Sequence, residues 1–161
     1  MEEVVNKSIQ VIGFTRNADF QLPVLNANKE LLQENIILLR VGCQHEEFLN
    51  VLQEVQAEDI MLVDLDRVAL PVLNALGQAY GKTERKDHVY YVSNRKRKLW
   101  LGFVDAVLWR GDRSITDSPV LIGNKSLFMK AYAGDDLDGN LLRAVSYSLQ
   151  KAFVKFGTLE V

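Results

Sequence analysis

Two carboxylates separated by a single residue, Asp64 and Asp66, are the side chains in this sequence that are best placed to do chemistry. They directly follow the apolar residues 60–63, a run typical of a strand buried on both faces. In an α/β sheet, the carboxyl ends of such strands face the crevice in which ligands bind. A carboxylate there is available for catalysis or signalling. The competing interpretation is structural, because the turn after a strand favours aspartate.

Composition narrows the class of protein. The chain has 161 residues, 48% hydrophobic and 25% charged, which is enough for a single folded domain over 1–161 with a sizeable core. The net charge of −2 gives no overall attraction to nucleic acid or to a membrane. Cys43 is the only cysteine, so an internal disulfide and a cysteine-based metal cluster are excluded. We see neither a signal peptide nor a membrane-spanning run, and we expect a cytoplasmic protein.

Alternating strand and helix patterns supply the elements that must position these carboxylates. Apolar runs predict strands over 8–14, 36–41, 60–63, 88–92 and 105–109. Helical spacing predicts helices over 23–34, 45–55, 70–80 and 141–156, with a short helix over 95–102. Residues 119–133 are less regular and are interpreted as a β-hairpin around Gly123 and Asn124. Repeated strand–helix units indicate an α/β fold, with a parallel sheet and helices on both faces.

This order of elements resembles the receiver domain of bacterial response regulators over roughly residues 8–112, and again in the last helix. Asp59, the apolar strand, Asp64 and the later Pro71 are similar to the segment around the phospho-accepting aspartate of receivers. Residues 102–112 resemble the fifth strand of that family. The resemblance implies a flavodoxin-like fold, with a five-stranded parallel sheet in the order 2-1-3-4-5 and an inserted element near 113–133. It makes Asp64 the candidate phosphoacceptor, with Ser93 and Arg110 as the candidate switch and phosphate-pairing residues.

Several positions depart from the receiver pattern. Receivers hold Mg²⁺ with an acidic pair at the end of the first strand, where this chain has residues 13–17, Gly-Phe-Thr-Arg-Asn. Mg²⁺ requires oxygen ligands, so this strand gives little support for phosphoryl transfer. Arg110 stands in place of the family's lysine, and Val107 in place of its switch aromatic. The resemblance therefore implies a degenerate or pseudo-receiver: a regulatory, non-enzymatic module without metal or cofactor.

The resemblance also implies a contact face for such a module. Receivers associate through the fourth helix, the fifth strand and the final helix. In this chain the corresponding face would combine four basic residues with two tryptophans: Arg95, Lys96, Arg97, Lys98, Trp100 and Trp109. We expect that face to bind a protein partner or a second copy of the chain, rather than a membrane or nucleic acid. The insertion near 113–133 would decorate the sheet edge or add to this surface.

Two alternatives to the interaction module stay open. The first is a receiver that is still phosphorylated on Asp64 with an unusual dependence on metal. The second is a small flavodoxin-like enzyme of the phosphatase type that uses both Asp64 and Asp66. The Asp-x-Asp pattern resembles the nucleophile motif of haloacid-dehalogenase-type phosphatases, although here it follows the third strand and Val68 stands where that motif has threonine.

Overall fold

The computed structural model describes residues 9–17, 36–40, 44–83, 87–92, 115, 118–131 and 141–159. These residues form one six-stranded sheet and the helices packed against it. In chain order, the elements are β1 (Ile9–Thr15), β2 (Ile36–Arg40), α1 (Gln44–Glu54), β3 (Asp59–Asp64), α2 (Val72–Gly81), β4 (His88–Val92), β5 (Val120–Asn124), α3 (Lys125–Ala131), α4 (Leu141–Lys151) and β6 (Lys155–Leu159).

The sheet is mixed but mostly parallel, and its strand order is β2-β1-β3-β5-β4-β6. Strand β1 pairs in parallel with β2 and β3, and β4 pairs in parallel with β6. Strand β5 lies between β3 and β4 and runs antiparallel to both. The predicted α/β class is therefore confirmed, whereas the predicted five strands in the order 2-1-3-4-5 do not match the observed count and order.

The largest difference from the prediction concerns residues 119–133. Their described part, 119–131, forms neither a hairpin around Gly123 and Asn124 nor an element at the sheet edge, because β5 occupies the middle of the sheet. Its three apolar residues are buried on alternating faces, Leu121 in one core and Val120 and Ile122 in the other. The Asn124 side chain accepts a hydrogen bond from the Ser126 N–H at 2.9 Å. That cap starts helix α3, so the chain does not turn back as a second strand.

The last helix is shorter than the predicted range 141–156. Helix α4 ends at Lys151, and the chain then adds the sixth strand, β6. Phe153 adopts a left-handed backbone conformation with φ of 61°. The Val154 N–H donates to the Leu149 carbonyl at 3.1 Å, which closes the helix end and redirects the chain. A non-glycine residue in this conformation costs about 1–2 kcal/mol, and its apolar side chain gave no signal for a helix end.

Helices cover both faces of the sheet, and each face has its own core. On one face the sheet packs against α1, α3 and α4, and on the other it packs against α2. The first core includes Ile12, Phe14, Leu62 and Leu121 from the strands, with Phe48, Leu52, Phe128, Val145 and Leu149 from the helices. The second core includes Val11, Met61, Val63, Val120 and Ile122, with Leu73, Leu76 and Tyr80 from α2. The apolar faces predicted for α1 and α2 are thus confirmed.

Three predicted elements lie outside the described residues: the helix over 23–34, the short helix over 95–102 and the strand over 105–109. Within the part of the chain that is described, no helix has the length and apolar character needed to cross a membrane.

Candidate functional site

The carboxyl ends of β1 and β3 lie side by side, and the Asp-x-Asp turn stands at this edge of the sheet. Phe14 pairs with Asp64, so the last residues of the two strands are direct neighbours. From β1 the strand order leads to β2 on one side and to β3 on the other. In open α/β sheets such a reversal opens a crevice beyond the carboxyl ends of the strands, where ligands bind.

Asp66 is held from β1 through both of its carboxylate oxygens. The Thr15 hydroxyl donates to Asp66 Oδ1 at 2.6 Å, and the Arg16 backbone N–H donates to Asp66 Oδ2 at 2.8 Å. Thr15 is fully buried, and its hydroxyl oxygen also accepts the Asn17 N–H at 3.0 Å. Each carboxylate oxygen has two lone pairs, so these bonds fix the orientation of Asp66 and leave it able to accept a further ligand.

Asp64 is more deeply placed than Asp66 and carries different partners. Its Oδ1 accepts the Asp66 N–H at 3.0 Å, and its Oδ2 lies 3.4 Å from Arg67 Nε. Only 7% of the residue is exposed. Burial raises the pKa of the Asp64 carboxyl above its usual range, and the nearby negative charge of Asp66 adds to this effect. The Asp66 N–H and the Arg67 guanidinium act in the opposite direction without overcoming it.

The residue between the two carboxylates anchors the turn in the second core. Leu65 is buried, and its backbone N–H donates to the Phe14 carbonyl at 2.9 Å. Its side chain lies over Gly13, where an added Cβ would come within 2.7 Å of Leu65 Cδ1 and 2.8 Å of its Cγ. A glycine at position 13 is therefore what lets β1 approach this turn. The close packing of Gly13 and Leu65 sets where the Asp-x-Asp turn sits.

The start of β5 closes the other side of the turn. The Asp64 N–H donates to the Pro119 carbonyl at 2.9 Å. The buried Ser118 hydroxyl accepts the Val92 N–H at 3.1 Å and donates to the Val120 carbonyl at 2.6 Å. Residues 118 and 119 thus join the carboxyl end of β4 to the carboxyl end of β3. The edge that carries the candidate site therefore has two parallel parts, β2-β1-β3 and β4-β6, on either side of β5.

The raised pKa of Asp64 predicts that this carboxylate destabilises the ligand-free fold. Because the folded pKa lies above the unfolded one, the folded state favours the neutral acid, and the ionised form costs free energy at neutral pH. We expect Asp64→Asn to raise the unfolding temperature at pH 7 by about 2–4 °C, the shift that 1 kcal/mol produces in a chain of this size. Thermal unfolding between pH 3 and pH 8 measures it.

The expected gain should disappear as the pH falls below the ordinary aspartate pKa of about 3.9, because Asp64 is then neutral in both folded and unfolded chains. Glu47→Gln is the control, since it removes one negative charge from an exposed side chain of α1. An unfolding temperature for Asp64→Asn below that of the unmodified chain at pH 7 would contradict this account of the carboxyl.

The structure brings together some residues that the sequence singled out and others that it did not. Asp64 and Asp66 meet Thr15, Arg16 and Arg67, none of which was predicted as a site residue. Thr15 and Arg16 belong to segment 13–17, where the receiver resemblance had led us to look for an acidic pair, and that resemblance was the available signal. The remaining predicted residues lie outside the described residues: Ser93, Arg95, Lys96, Arg97, Lys98, Trp100, Trp109 and Arg110.

The donor atoms at the turn limit the kind of metal it could hold. Among the described residues, no group of three or more histidine, cysteine or acidic side chains is arranged to bind a metal ion. Two neighbouring carboxylates fit Mg²⁺ or Mn²⁺ when water and substrate phosphates supply the other ligands, which is the usual way in which Mg²⁺ binds in enzymes. A cation here would therefore be one that arrives with a phosphorylated ligand.

Comparison with known proteins gives no family. No protein-family model matches the chain, and no curated protein matches it. The function is therefore inferred from the geometry of the Asp-x-Asp turn and its neighbours.

Proposed function

We propose that this chain is a transferase that binds a nucleotide-diphosphate donor through a divalent cation at Asp64 and Asp66, and that it passes the donor's glycosyl group to an acceptor hydroxyl. The observation that carries the proposal is the Asp-x-Asp turn at the carboxyl end of β3, with both oxygens of Asp66 oriented from β1. The proposal departs from the expectation of a metal-free, non-enzymatic module, which stays a prediction.

The case for a nucleotide diphosphate rests on position and charge. The turn lies at the reversal of strand order, where α/β sheets bind nucleotides. Two carboxylates alone repel a diphosphate, so their place at such a crevice makes electrostatic sense when a bridging cation sits between the two groups. Arg16 and Arg67 lie beside the turn and add positive charge for the outer phosphate oxygens.

The case for transfer from the diphosphate rests on the restraint of Asp64. A phosphatase or receiver needs this carboxylate as a nucleophile that attacks phosphorus. Here Asp64 is buried, one oxygen accepts the Asp66 N–H and the other pairs with Arg67. Attack by an acceptor hydroxyl on the sugar carbon requires no protein nucleophile. The bond between that carbon and the diphosphate oxygen breaks, the diphosphate leaves with the electron pair, and the hydroxyl proton passes to a base or to solvent. A bound cation stabilises the leaving charge.

The two parallel parts of the sheet edge also favour a reaction with two substrates, one bound at each part. The parallel part β2-β1-β3 carries the Asp-x-Asp turn and would hold the donor. The start of β5 separates it from the carboxyl ends of β4 and β6, which form a second part of the same edge. Residues 118 and 119 connect the two parts. An acceptor bound over β4 and β6 would thus approach a donor bound over β1 and β3.

The receiver-like interaction module is the second candidate. It is favoured by the order β2-β1-β3, the order that a flavodoxin-like sheet has for these strands, and by the place of Asp64 at the end of the third strand. In that case the chain would act by binding a protein partner or a second copy of itself. A chain still phosphorylated on Asp64 would respond to Mg²⁺ and a phosphate mimic.

Calorimetric titration separates the candidates. We expect the unmodified chain to bind one of uridine, guanosine or cytidine diphosphate in the presence of Mn²⁺, and to lose that binding when EDTA replaces the metal. The sugar ester of the same nucleotide should then be hydrolysed slowly, with water replacing the acceptor. If no nucleoside diphosphate binds with Mn²⁺, the transferase proposal is wrong. Stabilisation by Mg²⁺ with beryllofluoride would then favour the phosphorylated receiver.

A further inference from the structure

Arg67 pairs with the Asp64 oxygen that does not accept the Asp66 N–H. Asp64 Oδ1 already accepts the Asp66 N–H, so Oδ2 has the greater remaining capacity for a ligand. Arg67 Nε lies 3.4 Å from this Oδ2. The Arg67 side chain is 44% exposed and that of Asp64 only 10%, so Arg67 is the more exposed partner of the pair. A cation that binds Asp64 Oδ2 would therefore compete with Arg67 for this oxygen.

The turn holds the backbone of Arg67 in place. Its backbone N–H donates to the Asp64 carbonyl at 3.1 Å, and the next N–H, that of Val68, donates to the same carbonyl at 3.1 Å. The turn therefore fixes where the Arg67 side chain begins. The ion pair with Asp64 is long, at 3.4 Å, and only its arginine is substantially exposed. The backbone bonds of the turn do not involve the guanidinium, so the turn does not depend on this ion pair.

We infer that Arg67 is a ligand-responsive residue that occupies the cation position at Asp64 in the empty site and moves onto the phosphates when the cation and the nucleotide bind together. This inference rests on the proposed function of the same site. A divalent cation at Asp64 repels the guanidinium, because two positive charges cannot share one carboxylate oxygen without a large Coulomb cost. The displaced guanidinium is planar and carries several N–H donors, which suit two phosphate oxygens at once.

Arg67 should therefore change the affinities of the two ligands in opposite directions. It competes with a cation that arrives alone, and it supports a cation that arrives with a diphosphate. The empty site is thereby protected from holding a bare metal ion, and binding favours the metal–nucleotide complex. A residue with only a structural role in the turn would not shift the two affinities in opposite directions.

Arg67→Met tests the inference, because it keeps the length of the side chain and removes its charge and its donors. We expect Mn²⁺ without nucleotide to bind about two- to fivefold tighter, the gain from losing a weak competing ion pair. We expect the nucleoside diphosphate, at saturating Mn²⁺, to bind about tenfold weaker or more. Electron paramagnetic resonance of free Mn²⁺ measures the first affinity, and calorimetry measures the second.

Two further variants make the test specific. Arg67→Lys keeps the charge without the planar donors, so it should leave Mn²⁺ binding close to normal and still weaken the diphosphate. Arg16→Met removes the same charge from the same edge while its backbone N–H remains to hold Asp66, so it should tighten Mn²⁺ less than Arg67→Met does. Thermal unfolding of each variant verifies that the fold is retained.

The outcomes separate this inference from the function on which it rests. If the unmodified chain binds neither Mn²⁺ nor a nucleoside diphosphate, the proposed function and the role of Arg67 both fall. If the unmodified chain binds both and Arg67→Met leaves Mn²⁺ affinity unchanged, the function stands and the inference is overturned. Weaker binding of both ligands by Arg67→Met would also overturn it, because Arg67 would then be supporting the turn rather than competing for Asp64.

Discussion

Replacing Asp66 with asparagine should weaken Mn²⁺-dependent binding of the nucleoside diphosphate by about a hundredfold or more. Asparagine has nearly the same shape as aspartate, but it is neutral and offers one acceptor oxygen in place of two. It cannot accept from both the Thr15 hydroxyl and the Arg16 N–H with separate oxygens, as Asp66 does. Loss of a partner behind a metal ligand already costs about 10–100-fold, so loss of a charged ligand should cost at least as much.

Calorimetry of Asp66→Asn with Mn²⁺ and the nucleotide measures this loss. Asp87→Asn is the matched control, because it removes one carboxylate from the amino end of β4, at the edge of the sheet opposite the Asp-x-Asp turn. The control should bind the nucleotide as the unmodified chain does. Equal affinities for Asp66→Asn and the unmodified chain would show that the diphosphate does not bind through this carboxylate.

Gly13→Ala should lower the free energy of unfolding by about 1–3 kcal/mol, the usual cost of forcing an extra carbon into a packed core. The added Cβ would lie 2.7 Å from Leu65 Cδ1 and 2.8 Å from Leu65 Cγ, so the leucine must shift. Leu65 is buried and stands between the two carboxylates of the turn. Its displacement should therefore also weaken nucleotide binding, although Gly13 itself contributes no side chain to the site. Urea denaturation and calorimetry measure the two effects.

A double-mutant cycle with Leu65→Ala identifies the cause of the loss. Truncating Leu65 removes the atoms that the new Cβ would meet, so Gly13→Ala should cost little further stability in that background. The coupling between the two substitutions should then be close to the full cost of Gly13→Ala alone. Additive losses would mean that Gly13 is required for another reason, such as the backbone conformation of β1.

Local patterns in the sequence were sufficient for the part of the fold that places the site. The β-branched and leucine runs predicted β1, β2 and β3, and helical spacing predicted α1 and α2. Because β3 is apolar and buried up to its last residue, the sequence also predicted that Asp64 would end it. These features depend on residues close together in the chain, and the spacing of apolar residues in the sequence directly indicates them.

Features that depend on contacts between residues far apart in the sequence could not be predicted from local sequence patterns. The apolar run in β5 is compatible with a strand anywhere in a sheet, and its central, antiparallel place depends on β3 and β4. The contact of Thr15 with Asp66 joins residues 51 positions apart, and spacing carries no information at that range. The helix end at Phe153 was missed because glycine is the residue that ordinarily marks it. The receiver-like contact face around Arg95–Lys98 stays a prediction.

The central place of β5 governs the order in which the sheet can be assembled. Met61 of β3 and Tyr90 of β4 both pair with Ile122, so these strands have no link to each other until the chain has been made past β5. Up to that point β3 presents an unpaired edge of apolar residues, the kind of edge that invites pairing with other chains. Long-range strand pairing also slows folding. A chain growing on the ribosome therefore carries an open half-sheet from the time β3 has been made until β5 follows, and its candidate site is completed only when this later strand is inserted.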